Sequence, residues 1–135
     1  MDRRAAPLLL AALAGAALAD EARVDVTLNH SGSDALGKRL AIALAGEIGG
    51  SRRLQLVKTS EQRVGIYLAT MARDGATVYA ATWTLGGMAD DGYLTSKVGA
   101  CEAQALRACA RSLFAETDKH AAVLARVRAE QAHAR

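Results

Sequence analysis

Residues 64–85 read V-G-I-Y-L-A-T-M-A-R-D-G-A-T-V-Y-A-A-T-W-T-L, and the hairpin they form from Arg63 to Leu85 decides the fold. Asp74-Gly75 is a two-residue turn signal, because a type I′ turn needs positive φ at both central positions. With that turn, Arg73 pairs with Ala76 and every later pair keeps the same residue sum. Val64, Ile66 and Leu68 then share a face with Leu85, Trp83 and Ala81, with Tyr79 beyond. Gly65, Tyr67, Ala69 and Met71 share the other with Thr84, Thr82, Ala80 and Val78. Large apolar groups on one side and small or hydroxylated groups on the other describe a sheet covered on one face only.

Upstream, R-V-D-V-T-L-N (residues 23–29) alternates at period two, as a half-buried strand does. Val24, Val26 and Leu28 are expected to face inward, Asp25 and Thr27 outward. His30-Ser31-Gly32 breaks the pattern. Ser33 or Ser31 is expected to cap a helix, with Asp34 in its first turn near the positive end of the dipole. Leu36, Leu40, Ala43, Leu44 and Ile48 form its apolar stripe, and Lys38, Arg39 and Glu47 lie off it. Gly49-Gly50 supplies a stop, Gly being the residue that enters the left-handed region without penalty.

R-R-L-Q-L-V-K (52–58) reads as a second strand with Leu54 and Leu56 on one face. Thr59 to Gln62 lead from it into the hairpin. After the hairpin, Gly86-Gly87 and Asp90-Asp91-Gly92 loosen the chain. Y-L-T-S-K-V-G-A (93–100) is expected to be the last strand, with Leu94 and Val98 inward and Lys97 outward. From Glu102 the pattern is helical, with Leu106, Ala110, Leu113, Phe114, Thr117, Ala121, Leu124 and Val127 in one stripe. The final turns, rich in Ala and Arg, are expected to fray in part. The fold class that follows is α+β: a single-domain two-layer sandwich, a mainly antiparallel sheet of about five strands with two helices on one face.

The amino terminus carries a different signal. Asp2-Arg3-Arg4 opens a charged stretch, Ala5 to Ala17 is apolar, and Ala17-Leu18-Ala19 is an A-x-A site before Asp20. Charge, a short apolar run and a small-residue site in that order predict a secretory signal over residues 1–19. The run is shorter than the ~20 apolar residues that span a bilayer, and Pro7 interrupts it, so a stable membrane anchor is not expected. Removing 19 of 135 residues leaves 116 for one domain, residues 20–135. A chain of that size buries about two-thirds of its unfolded surface. Arg3, Arg4 and Asp2 leave with the signal, so 15 basic and 13 acidic residues remain. The basic residues are scattered and the aromatics few, which argues against a nucleic-acid partner.

Export also bears on Cys101 and Cys109, the two cysteines of the chain, because disulfides persist outside the cytosol. C-x7-C is no known redox or zinc motif, and two thiols do not complete a tetrahedral site. On one regular helix their Cα atoms would lie about 12 Å apart, beyond the roughly 7 Å a disulfide tolerates. A bridge therefore requires Cys101 to end the strand and the chain to curl through Glu102-Ala103-Gln104 before a helix carries Cys109 back.

The remaining polar groups are weaker candidates. His30 with Ser31 or Asp34 contains the ingredients of a small secreted hydrolase, without a nucleophile-elbow motif. Glu116 and His120 are i,i+4, a spacing that metal sites use, but a third ligand is missing and no metal or cofactor is expected. Asp90-Asp91-Gly92 reads as a turn rather than a calcium loop. Trp83, Tyr79 and Phe114 are expected in the core. Tyr67, Met71, Thr82 and Thr84 mark an open sheet face suited to a partner.

The V-D-V-T-L-N strand, the D-A-L-G-K-R-L-A-I-A-L-A-G-E-I helix with its Gly-Gly stop and the R-L-Q-L-V strand follow one another. In that succession residues 23–117 resemble the amino-terminal domain of TolB, a type shared by curli-secretion and penicillin-binding-protein-activator lipoproteins. The lipid-attachment Cys of the lipoproteins is missing here. The resemblance implies a non-enzymatic envelope adaptor whose partner is an envelope protein or another macromolecule. A secreted inhibitor or toxin is a further class that the residues neither favour nor oppose.

Overall fold

A computed structural model of the chain describes residues 23–86 and 92–134. The expected signal segment and the Asp90-Asp91 turn lie outside the described residues. Strand β1 (Val24–Ser31) leads into helix α1 (Ala35–Gly49), and β2 (Leu54–Leu56) follows. The long hairpin is β3 (Arg63–Arg73) and β4 (Ala76–Gly86). Then come β5 (Gly92–Glu102), a 3-10 turn (Ala103–Ala105) and helix α2 (Leu106–His133). The five strands form one sheet in the order β2-β1-β3-β4-β5. β3, β4 and β5 are antiparallel neighbours, whereas β1 runs parallel to both β2 and β3. The architecture is the expected α+β sandwich, with a sheet of mixed direction.

The hairpin forms in the expected register. Arg73 pairs with Ala76, Ile66 with Trp83 and Tyr67 with Thr82. Asp74 and Gly75 have φ of 50° and 77°, the two positive values a type I′ turn demands. Val64, Ile66, Leu68, Ala81 and Trp83 are buried beneath the helices. They join Val24 and Val26 of β1, Leu54 of β2, Leu40, Leu44 and Ile48 of α1, and Leu113, Ala121 and Leu124 of α2. Each helix thus contributes one apolar stripe to a single layer of core. Trp83, the largest residue in it, donates its indole N–H to Thr117 Oγ1 at 2.9 Å. Thr117 in turn donates to the Leu113 carbonyl at 2.9 Å.

Four local expectations need correction. Asp34 itself is the N-cap of α1, accepting from the Gly37 N–H at 2.9 Å; neither Ser31 nor Ser33 takes that place. The carboxylate holds it because Thr70 and Thr77 of the hairpin also reach it, as neither serine allows. At the other end Gly50 closes α1 in a right-handed conformation, φ −83°, so the Gly-Gly stop works without a left-handed residue. α2 begins at Leu106, because β5 runs on to Glu102 and the 3-10 turn intervenes.

The fourth correction is the facing of β5. Lys97 pairs with Ala81 and Cys101 with Thr77, both of them buried, whereas Val98 pairs with Ala80 on the open face. Lys97 lies on the helix side, where its amine donates to Ser112 Oγ at 2.7 Å. Val98 is 74% exposed. Pairing with β4 assigns the faces, and it overrides the four-residue spacing of Leu94 and Val98. A register irregularity opposite Trp83 and Thr84 leaves Leu94 as an extra residue, the signature of a β-bulge.

Candidate functional site

The side of the sheet away from the helices is the candidate site. Because side chains alternate along a strand, it presents Thr27, Asn29 and Ser31 from β1 and Gly65, Tyr67, Ala69 and Met71 from β3. β4 adds Val78, Ala80, Thr82 and Thr84, and β5 adds Ser96, Val98 and Ala100. None of these side chains carries a charge; the charged residues of the same face, Asp25, Arg63, Arg73 and Glu102, stand toward the strand ends. Tyr67 and Met71 are exposed, at 44% and 62%. Tyr67 borders a shallow depression of about 230 Å³ lined also by Asn29, Ser31, Ala69, Ala80 and Thr82. Thr82 and Ser96 link β4 to β5 through their hydroxyls, 3.0 Å apart.

Thr84 sits lower in this face than the other three. Its Oγ1 is buried and without a hydrogen-bond partner among the described residues. It lies over Gly65, where a Cβ would approach it to 2.6 Å and come within 3.7 Å of the Tyr67 ring. Gly65 is thus the hollow that lets the tyrosine and threonine lie flat. Tyr67, Met71 and Thr82 share an accessible surface, and Thr84 forms its floor.

Cys101 and Cys109 form a disulfide with Cα atoms 6.3 Å apart. Cys101 stands at the end of β5 and Cys109 in the first turn of α2, so the 3-10 turn between them supplies the required curl. The bridge anchors the start of α2 to the sheet and leaves the open face untouched.

The hydrolase candidates are placed differently from a triad. His30 and Ser31 are consecutive in β1 and point to opposite faces: Ser31 pairs with Ala69 on the open side, His30 with Leu68 on the core side. His30 meets Asp34 only through Thr70. Its Nε2 is 2.7 Å from Thr70 Oγ1, which donates to Asp34 Oδ1 at 2.8 Å. A hydroxyl has one proton, so with that proton on the carboxylate, His30 supplies the other as Nε2–H. Thr77 donates to Asp34 Oδ2 at 2.7 Å.

These contacts hold the Asp34 carboxyl below its usual pKa. The Thr77 hydrogen bond is the largest cause, and those from Thr70 and the Gly37 N–H add to it against an opposing cost of desolvation. Space for Thr70 comes from Gly37, where a Cβ would fall 2.1 Å from its hydroxyl, and from Gly32 at φ +136°. The cluster ties the start of α1 to the hairpin tip. A triad needs the histidine between hydroxyl and carboxylate; here the hydroxyl is between them.

Glu116 and His120 bond to each other at 3.0 Å, and His120 packs beside Trp83 with ring centroids 6.3 Å apart. Among the described residues no three His, Cys, Asp or Glu side chains come together as a metal site would need. An apolar groove of about 250 Å³ lies elsewhere, between α2 and β1, lined by Val24, Ala121, Ala122 and Ala125 and closed by the Arg53–Asp118 ion pair.

Sequence reasoning missed Val98 and the two threonines that grip Asp34. Thr70 and Thr77 stand at inward positions of the hairpin, and a polar residue on the apolar face is the mark by which they can be recognised. No family model matches this chain, nor does any curated protein.

Proposed function

We propose that this protein is an exported accessory domain of the bacterial envelope, periplasmic or secreted, which binds another macromolecule through its open sheet face and catalyses nothing itself. The observation that carries this proposal is the face: Tyr67 and Met71 exposed beside a half-buried Thr82, in the middle of a broad surface whose charged residues, Asp25, Arg63, Arg73 and Glu102, stand toward the strand ends. A sheet face with an uncharged middle and an aromatic there suits a partner that buries it, since exposed apolar patches mark interaction sites. The disulfide supports a life outside the cytosol, as does the signal pattern of residues 1–19. Among the described residues no helix is long and apolar enough to cross a membrane. The resemblance to TolB-type domains points the same way, toward an adaptor.

Affinity capture from envelope extracts tests the proposal. Wild-type protein and a helix-face control, Lys38→Ala, are expected to retain the same identified macromolecule, and Tyr67→Ala to lose it. Equal capture by Tyr67→Ala would remove the open face from the proposal. Mass spectrometry of the protein from its native host should find a chain beginning at Asp20. An intact Met1 on a cytosolic product would overturn export.

A further inference from the structure

Among the described residues β5 is the one long strand with a free side. It spans eleven residues, about 37 Å at 3.4 Å per residue, and it is last in the sheet order. Among the described residues no backbone group pairs with its outer side. Such an edge is a template for another strand, and proteins usually blunt it with Pro, charges or brevity. The opposite edge is blunted, since β2 is three residues long. β5 has no Pro, and its interior has one charge, Lys97, whose amine is drawn to Ser112 on the helix side. Val98 stands 74% exposed in the middle of this edge.

The residues of β5 also say which strand fits. In an antiparallel pair about a two-fold axis, opposed residues share a face and one residue meets its own copy. An axis at Lys97 would oppose two like charges. An axis at Ser96 would run the pairing through the bulge at Leu94. An axis at Val98 avoids the bulge and the direct opposition, using the regular stretch from Thr95 to Cys101; the two Lys97 are then diagonal neighbours, each amine turned to its own Ser112. It brings Val98 onto Val98, Ser96 onto Ala100 and Lys97 onto Gly99 of a second copy.

We propose that two copies of this chain join antiparallel along β5, about a two-fold axis at Val98, to make one ten-stranded sheet. The join covers the valine that the monomer leaves in water and satisfies the unpaired backbone. It also sets two open faces side by side, doubling the surface around Tyr67 and Met71. This proposal stands apart from the identity of any partner, because it depends on the edge alone.

Cysteine crosslinking with sedimentation equilibrium tests it. The native cysteines are both bridged, so an introduced thiol has no other free thiol to meet. Directly opposed residues have Cα atoms about 4.5–5.5 Å apart, within disulfide reach. Val98→Cys is therefore expected to yield a covalent dimer under mild oxidation, whereas Ser96→Cys, facing Ala100 of the second copy, is expected to remain uncrosslinked. The wild-type protein should sediment at twice the chain mass and Val98→Lys at the single mass, with unchanged circular dichroism. A wild-type protein of single-chain mass at every concentration up to its solubility limit would overturn the proposal. So would a dimer in which Ser96→Cys crosslinks as readily as Val98→Cys, or in which neither does.

Discussion

The Trp83–Thr117 contact permits a quantitative test of how the helix layer is seated on the sheet. Both residues are fully buried, and Thr117 Oγ1 receives the indole N–H at 2.9 Å. Thr117→Val keeps the volume and removes the acceptor, leaving a buried N–H without a partner. That penalty is about 1–3 kcal/mol. A small gain offsets it, because the Thr117 hydroxyl bonds back to Leu113 and such bonds within a helix are slightly unfavourable. The expected net loss is about 1–2 kcal/mol. Trp83→Phe removes the donor, so in that background Thr117→Val should cost less than about 0.5 kcal/mol. The coupling from the double-mutant cycle is then about 1 kcal/mol or more. Urea denaturation followed by far-ultraviolet circular dichroism serves all four proteins, since tryptophan fluorescence is lost with the single tryptophan. Equal m-values are required for the comparison. Additive losses would refute the reasoning, showing that the indole N–H contributes nothing through Thr117.

Three further outcomes follow from the same structure. Trp83→Ala should cost about 3–5 kcal/mol and Tyr67→Ala within about 1 kcal/mol in chemical denaturation; the reverse order would mean that the helices cover the other face. Reducing the Cys101–Cys109 bridge should lower the melting temperature, with a loss of about 2–3 kcal/mol for so short a loop, and two reactive thiols per unreduced, denatured chain would show the bridge absent. Asp34, held below its ordinary pKa chiefly by Thr77, contributes stability that is complete above the unfolded value of about 3.9 and is lost as pH falls through the lower folded value. Wild-type protein should therefore lose more stability than Asp34→Asn on acidification below that value; parallel pH profiles by thermal melting would contradict it.

How far the fold could be read from residues depended on whether the deciding interaction was local. Asp74-Gly75 needs only its own backbone geometry, and once the turn is set the ladder has no remaining freedom. All pairings from Arg73–Ala76 to Val64–Leu85 followed, and with them the buried face and Tyr67 on the open one. The α1 stripe of Leu40, Leu44 and Ile48 was equally legible, since each lies within a turn or two of the next. The disulfide required only a helix rise and a maximum Cα distance to locate the break between β5 and α2. The placement of β1 between β2 and β3 was not legible. Parallel pairing arises through crossovers, and no single turn residue announces it.

β5 and the α1 cap show what lies beyond local pattern. Leu94 and Val98 are the two largest aliphatic groups in their strand, and apolar spacing alone puts them inward. Among the described residues the strand is paired on one side only, and the ladder from β4 places Lys97 and Cys101 on the covered face instead. Covering Val98 would have meant turning Cys101 outward and losing the bridge to Cys109. Likewise Ser31, Ser33 and Asp34 are all competent N-caps by composition. The selection is made by Thr70 and Thr77, some forty residues downstream, whose hydroxyls join the Gly37 N–H on one carboxylate; the two lone pairs of a serine hydroxyl are too few for three donors. In both places the inward position goes to the residue that completes a long-range bond, and the more apolar or more typical candidate is displaced to the surface. That displacement left Val98 exposed in the middle of an unguarded edge, so the tie between β5 and α2 is also the physical origin of the surface on which a second copy can dock.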